Sequence, residues 1–483
     1  DRYECIRMAH DIDDSFLYTV HNYSDDLSAV DFHDFYEKLT SDLWNEIIFS
    51  ECIKAQNISY QRSSKNLKFN VVSSIKKTKA NYYLTKLIYF YQYLISRFKR
   101  KIAIISPYIQ HSQSIKLQLS LKSLPFIISP ELIHRLKEVD NNKRKQLIFQ
   151  KTDTDSCFES FLNIQIQKNI PKAYIESYAQ LRHQALRLLP IKTEVIYTAN
   201  GYQSNEAFKF WAAENCYLGS KLIIGQHGGT FGLSYFHQAE VHQLKIADQF
   251  ISWGWTSNKY KNIKPLPSIN LEFNKTINTS QANQGPIIHV LGCLPRYFYH
   301  FFSMPFGGQF ANSLEDQITF LNSLTKDNLN KVQIRQDVSS KKWGWNIEGI
   351  LCNHGFANNI SNSILPIKKQ LKGASICICT HNGTVPLETL ALNFPTIIFW
   401  NLDNYEIRPE AIESIQILKK AGIFFDCPKL AAQQINIISD DVASWWQDED
   451  IQTARLLFVD KYALTSKNPV FSLKDFLIEE SRS

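Results

Sequence analysis

"CTHNGTVPLETLALNFPTIIFW", residues 379–400, decides how this chain folds. An apolar run from Ala374 to Thr380 stops at His381-Asn382-Gly383. A segment with helical spacing follows, and after Pro395 a second apolar run, Thr396 to Trp400, begins. A strand that ends in a glycine loop, turns into a helix and returns to a strand is one βαβ unit of a parallel sheet. In open sheets of this kind ligands bind beyond the carboxyl ends of the strands, where loops lead into helices. Gly383 lets backbone approach a ligand with no Cβ in the way. Thr384 is the expected N-cap, and Pro386 suits a first turn, where its missing N–H costs nothing. Unpaired amide groups and the positive end of the helix dipole then make an anion site. Glu388, one turn further in, offers a carboxylate to vicinal ribose hydroxyls. His381, Asn382, Gly383, Thr384 and Glu388 are therefore candidates for holding the sugar and phosphate of a nucleotide. The plainer alternative is a tight turn with a helix-start charge worth under about 1 kcal/mol.

The same alternation runs outward in both directions. "PIIHVLGCLP" (286–295) and "KVQIRQDV" (331–338) are predicted strands separated by a helix at about 312–326. Arg335 at the end of the second and Arg296 just past the first are candidate phosphate ligands, since arginine pairs with phosphate in bidentate fashion. Each serves equally well as a surface ion-pair residue. Upstream, "EVIYTANG" (194–201), "KLIIGQHGGTFG" (221–232) and "QFISWGW" (249–255) are predicted strands, with helices over 205–219 and 237–248. "KIAIISP" (101–107) and "LPFIISP" (124–130) also read as strands, because the residue before proline is pushed towards extended geometry.

"IGQHGGTFG" (224–232) is the second rich junction. Its loop carries Gln226, His227, Gly228 and Gly229 as acceptor-side or loop candidates. His227 can take a proton near working pH. Glu240, three residues after His237 on one helix face, is the other candidate general base. Trp253 and Trp255, like Trp343 and Trp345, either stack on a sugar or fill the interior.

Two α/β domains follow from this pattern. Residues 1–265 form an acceptor-side domain, with residues 1–100 mainly helical. A polar stretch rich in Pro and Asn, starting near 261 and assigned to 266–285, reads as a linker. Residues 286–430 form the domain expected to bind a nucleotide, and 431–483 a helical tail with one long helix over 440–464. At 483 residues the chain is too long for one ordinary core, and its 44% apolar and 20% charged residues are those of a globular protein. No run of about 18 apolar residues is present, so no helix is expected to span a bilayer. Nine cysteines at irregular spacing argue against a disulfide framework and for a reduced, cytosolic protein; Cys377 and Cys379 should share one strand face. Neither a metal nor another cofactor is expected. The chain opens on Asp1 rather than Met, as a processed chain or a piece of a longer one would.

Net charge is +7, unevenly placed: between Cys52 and Pro130 there is no Asp or Glu. Within that segment "LTKLIYFYQYLISRFKRK" (84–101) mixes aromatics with a cationic end, as an interfacial helix does. A solvated basic face and a buried aromatic stripe are the alternatives, and nucleic acid is not an expected partner.

Together, "GQHGGTFG…HQAEVHQLKIADQFISWGW", "VQIRQD…KKWGW" and "CTHNGTVPLETLALNFPTIIFW" resemble a little-characterised bacterial family of predicted surface-polysaccharide transferases. More broadly they resemble glycosyltransferases of the two-Rossmann-domain (GT-B) type, over roughly residues 30–410. The resemblance implies a nucleotide-sugar donor, a glycan or lipid-linked acceptor, a cytoplasmic location at the inner membrane face and no metal. It implies donor-ribose binding at Glu388 and an acceptor base at His227 or Glu240. His-Asn-Gly-Thr stands where the common pattern has a longer glycine-rich donor loop, which leaves CMP, UDP and GDP as competing donor nucleotides. The start of the first domain is abbreviated against that pattern. The expected fold is α/β, with two Rossmann-like doubly wound domains facing a cleft. The expected function is transfer of a sugar, with a CMP-activated acidic sugar among the donors, to a surface polysaccharide or lipopolysaccharide. A polyol-phosphate transferase or nucleotide-sugar epimerase on the same fold is the alternative, and a non-catalytic polyanion-binding protein a more distant one.

Overall fold

Short apolar strands, most of them buried on both faces, dictate the architecture. In the computed structural model, residues 2–23, 28–67, 79–127, 132, 138–147, 156–190, 192–271, 285–299, 301–337, 340–341 and 343–482 are described. The chain forms two compact units.

The first unit comprises Asp1–Arg100, Phe126–Thr193 and Gly201–Gly219. It is mainly helical, but two strands, β1 (Tyr18–Tyr23) and β2 (Tyr60–Leu67), pair in parallel around the helix Asp42–Ala55. The sequence reading missed β2 because "YQRSSKNL" has no apolar alternation. Its core is small: Val20, Ile53 and Ile58 on one side, Trp44, Ile48 and Cys52 on the other. Leu124–Ile127 form no strand, contrary to expectation: Phe126 is buried beneath the Arg100 guanidinium, 4.4 Å from its ring centre. The remainder of that expected strand, 128–130, lies outside the described residues.

The second unit, Lys101–Pro125, Glu194–Asn200 and Ser220–Ser483, holds both large sheets. One contains β3 (Ile102–Ile104), β4 (Val195–Thr198), β5 (Lys221–Gly225), β6 (Gln249–Ser252) and β7 (Ile263–Pro265). All five are parallel and run in chain order. The stretch expected to open the linker thus supplies β7, and Leu266 and Ile269 pack on the core of this sheet. Residues 272–284 of the expected linker lie outside the described residues.

The other sheet contains β8 (Ile287–Val290), β9 (Val332–Arg335), β10 (Ile376–Cys379), β11 (Thr396–Phe399) and β12 (Phe424–Phe425). It too is all parallel, in the order β12-β11-β10-β8-β9. The order therefore reverses between β8 and β10. β8, β10 and β11 are buried at every position, as strands covered on both faces must be. Cys377 and Cys379 share one face, their Sγ atoms 3.9 Å apart.

The long helix expected over 440–464 is two, Val442–Gln447 and Glu449–Tyr462. Asp448 leaves helical geometry and caps the second, accepting from the amides of Asp450 (2.9 Å) and Ile451 (3.3 Å). A last helix, Pro469–Glu480, returns to the first sheet, where Val470, Leu473, Phe476 and Leu477 complete the core of Ile104, Tyr197 and Ile223.

Candidate functional site

Strand order reverses between β8 and β10, and in open parallel sheets ligands bind beyond the carboxyl ends of the strands at such a reversal. Gly292 follows β8 and His381 follows β10. The loops touch: a Cβ on Gly292 would lie 2.9 Å from the Cβ of His381, and the Gly292 amide donates to Thr380 Oγ1 at 3.2 Å. From this mouth the helix Thr384–Ala391 departs. Its N-cap is Gly383, not Thr384 as expected, and no side chain caps it. A helix leaves its first amides without intrahelical partners; here they belong to Gly383, Thr384 and Val385, Pro386 having none.

The reason Thr384 does not cap is that its hydroxyl serves the other sheet. It accepts from the amide of Gly229 at 3.1 Å. The two backbones are so close that a Cβ on Gly229 would fall 2.0 Å from the carbonyl oxygen of Gly383, so only glycine fits at 229. Asn382, 2% exposed, donates to Ser234 Oγ at 3.2 Å. The β5 loop and the β10 loop are thus one interlocked structure, and the expected site residues of both are brought together there. Asn382 and the Thr384 hydroxyl bind protein.

His381 and His227 stand on the two sides of this junction, both half-buried and both with an Nδ1 that has no hydrogen-bond partner. Burial pushes the His381 imidazole down to about 4, with the Asp337 carboxylate acting the other way. Burial likewise pushes His227 down to about 4, against a smaller opposing effect from the Ala199 backbone. Tyr108 and Phe231 enclose its ring edge to face, at 5.6 and 5.4 Å between centres. Both imidazoles are neutral at pH 7.

Glu388 is half-buried, and its charge is felt at Cys379, the last residue of β10. Burial is the first cause of that thiol's raised pKa, the Cys377 neighbour the next, and Glu388 a smaller one. Glu388 therefore stands near the carboxyl end of β10. Arg335 ends β9, where its Nη1 donates to the Leu365 carbonyl at 2.7 Å and to Gln370; among the described residues no bond joins it to the 381–384 loop. Arg296 stacks on Tyr297 and receives the Trp343-Gly344 turn, its amide donating to the Trp343 carbonyl at 2.9 Å. Gln226 is 4% exposed and braces the β5 loop: Oε1 accepts from the Trp253 amide (2.9 Å) and Trp255 Nε1 (2.8 Å), while Nε2 donates to the Gly228 carbonyl (2.8 Å). Trp253 and Trp255 are interior residues, at 4% and 2% exposure. Glu240, 4% exposed, has both oxygens engaged, one by the Gly232 amide and one by Arg408, each at 2.7 Å.

Sequence reasoning missed Gly292, Ser234, Asp337 and Arg408. Gly292 had a signal, a glycine directly after a buried strand. Arg408, in "NYEIRPEA", had none beyond preceding a helix-start proline. Among the described residues no three His, Cys, Asp or Glu side chains gather as a metal site, and no helix is long and apolar enough to cross a membrane.

Two parallel sheets joined through glycine loops at their carboxyl ends, one with a strand-order reversal there, define a two-lobed α/β protein. The chain belongs to the LIC12162 family of transferases, whose model matches residues 1–477. Among solved structures it is similar to MurG of Acinetobacter baumannii, at 11% identity over 79% of this chain and 100% of that one (TM-score 0.38). It is also similar to WaaG, a glycosyltransferase involved in lipopolysaccharide biosynthesis, at 10% over 79% and 99% (TM-score 0.32). A UDP-forming trehalose-phosphate synthase of Burkholderia vietnamiensis is similar at 11% over 64% and 77% (TM-score 0.37). No curated protein matches the sequence.

Proposed function

We propose that this transferase moves a sugar from a nucleotide-activated donor to a growing surface polysaccharide or lipopolysaccharide glycan. The observation that carries the reading is the junction at the β8–β10 reversal, where the start of an uncapped helix, just after His381, meets Gly229 in the loop that bears His227. The amides of Gly383, Thr384 and Val385 would hold the donor phosphate, and Glu388 its ribose. Residues 286–430 would then be the donor lobe and the carboxyl edge of the β3–β7 sheet the acceptor side. Arg335, at the end of β9, and Arg296, in the segment after β8, would be further ligands of that phosphate.

An acceptor hydroxyl, giving its proton to His227, would displace the nucleotide from the anomeric carbon. A neutral imidazole can receive that proton, and the negative phosphate across the loops would raise its low affinity for it. Holding both partners in place and neutralising the leaving phosphate would supply most of the rate. Glu240, with both oxygens engaged, suits a structural task better than proton transfer.

A peripheral membrane location is part of the reading, supported by the helix Lys79–Ile95 and the residues after it. Leu87, Phe90, Leu94 and Phe98 are 48–66% exposed while Gln92 and Ser96 are buried, an inverted amphipathic pattern. Exposed Arg97 and Arg187 flank Tyr93 on that face and hold its phenol below the ordinary value, Arg97 more strongly. Flotation with phosphatidylglycerol but not phosphatidylcholine vesicles is expected, and equal flotation with both, or with neither, contradicts it.

The central test is a thermal-shift panel of UDP, GDP, CMP and dTDP. One of them should raise the melting temperature, since about 2.7 kcal/mol is gained at a hundredfold excess over Kd. Four flat responses would end the proposal.

A further inference from the structure

We propose that Arg408 is a positioning residue: with Glu240 it holds the loop bearing His227 in register with the loop His381–Thr384. The role rests on reading His227 as the acceptor base, but its geometry stands independently.

Arg408 comes from the β8–β12 lobe, at the N-cap of the helix Pro409–Lys420. Its guanidinium reaches the β5 loop of the other lobe, where Nε and Nη2 donate to the Ser234 carbonyl at 3.1 and 3.0 Å. Nη2 also donates to Glu240 Oε1 at 2.7 Å, and Glu240 Oε2 takes the Gly232 amide at 2.7 Å. The backbone amide of Arg408 donates to the Leu233 carbonyl at 2.9 Å. Three consecutive loop residues, 232 to 234, are thus fixed by one arginine and its partner. Ser234 in turn receives Asn382 from the β10 loop.

The other end of the loop is fixed by Gln226 to Trp253 and Trp255. The two anchors are connected. A Cβ on Gly232 would lie 2.4 Å from Trp255 Cγ, and the Arg408 guanidinium sits 5.5 Å from the Trp255 ring centre. His227 therefore lies on a span clamped at both ends, between Gln226 and Gly232.

A buried ion pair is weak evidence for stability, because desolvation offsets most of its attraction. Here the Arg408 and Glu240 side chains are 16% and 5% exposed. A pair that joins two lobes and ends on three successive loop residues is better explained by the geometry it enforces. Lysine could not replace it, since a single ammonium lacks the fork that reaches Ser234 and Glu240 together.

The test is the titration of His227, followed by NMR of the imidazole in the whole protein. Arg408→Gln alone would strand a buried carboxylate, so the neutral pair Arg408→Gln/Glu240→Gln is the main variant and Arg408→Lys the second. Both should melt cooperatively. In both, the His227 midpoint should rise from its depressed wild-type value towards about 6.5 as the loop loosens and the ring is rehydrated. In the wild-type background, turnover should exceed that of the variants by about 10- to 100-fold, with nucleotide Kd within about threefold. A folded variant whose His227 titrates as in wild type overturns the proposal, whatever its turnover. The titration needs no ligand, so its outcome stands even if the transferase site binds none of the nucleotides.

Discussion

The two loops that meet at the junction are built in opposite ways. The β5 loop answers its polar groups from within the protein: Gln226 bonds to Trp253, Trp255 and Gly228, and Glu240 takes the Gly232 amide. The β10 loop opens a helix whose N-cap is glycine, with no side chain to receive the first amides. The sheets differ in parallel fashion, since strand order runs straight through β3–β7 and reverses only between β8 and β10. A braced loop facing a helix start with no side-chain cap is the arrangement that the proposed displacement would use.

The largest effect that would sharpen this contrast is expected from His227→Ala. Turnover should fall by about 10²–10⁴-fold, the usual contribution of a general base, with nucleotide affinity unchanged by calorimetry. Near-normal turnover would move the chemistry off the rigid loop. Gly229→Ala comes next. Its new methyl would need room now held by the Gly383 backbone, so the loops must part, at a cost of about 1–3 kcal/mol in denaturant unfolding and about 10²-fold in activity. Retention of both would show that the loops do not act as one.

Glu388→Ala tests the other loop. Nucleotide affinity should drop about tenfold, the worth of a charge-assisted hydrogen bond, while stability hardly changes. The smallest effect is acid sensitivity. His227, His381 and the core residue His289 are each held down to about 4 by burial, opposed in His289 by its bond to Gln317. In the unfolded chain each titrates near about 6.5, so that state binds more protons between the two values. Stability from these groups is therefore complete above about pH 6.5 and is lost as pH falls towards 4. Denaturant midpoints measured from pH 7.5 to 4.5 should fall, and less steeply in His289→Gln. A flat profile would mean these imidazoles are hydrated.

Much of this was legible in the sequence. Strands with short apolar runs, such as "EVIYT", "KLIIG" and "SICIC", announced the parallel sheets, and glycines within four residues of their ends marked the junctions. What was not legible depended on partners far along the chain. Thr384 looks like a cap until Gly229 is seen to take its hydroxyl. Glu240, a candidate base in the sequence, is paired with Arg408, 168 residues further along the chain. The long C-terminal helix had the right periodicity throughout, and only the local competition of the Asp448 side chain for backbone amides breaks it.

The most direct measurement is a crystal structure of the protein with the nucleotide that raises its melting temperature most. A phosphate oxygen should lie about 3 Å from the amide nitrogens of Gly383, Thr384 or Val385, with the ribose hydroxyls on Glu388. A nucleotide seated elsewhere, with those amides still facing water, would contradict this assignment of the donor site.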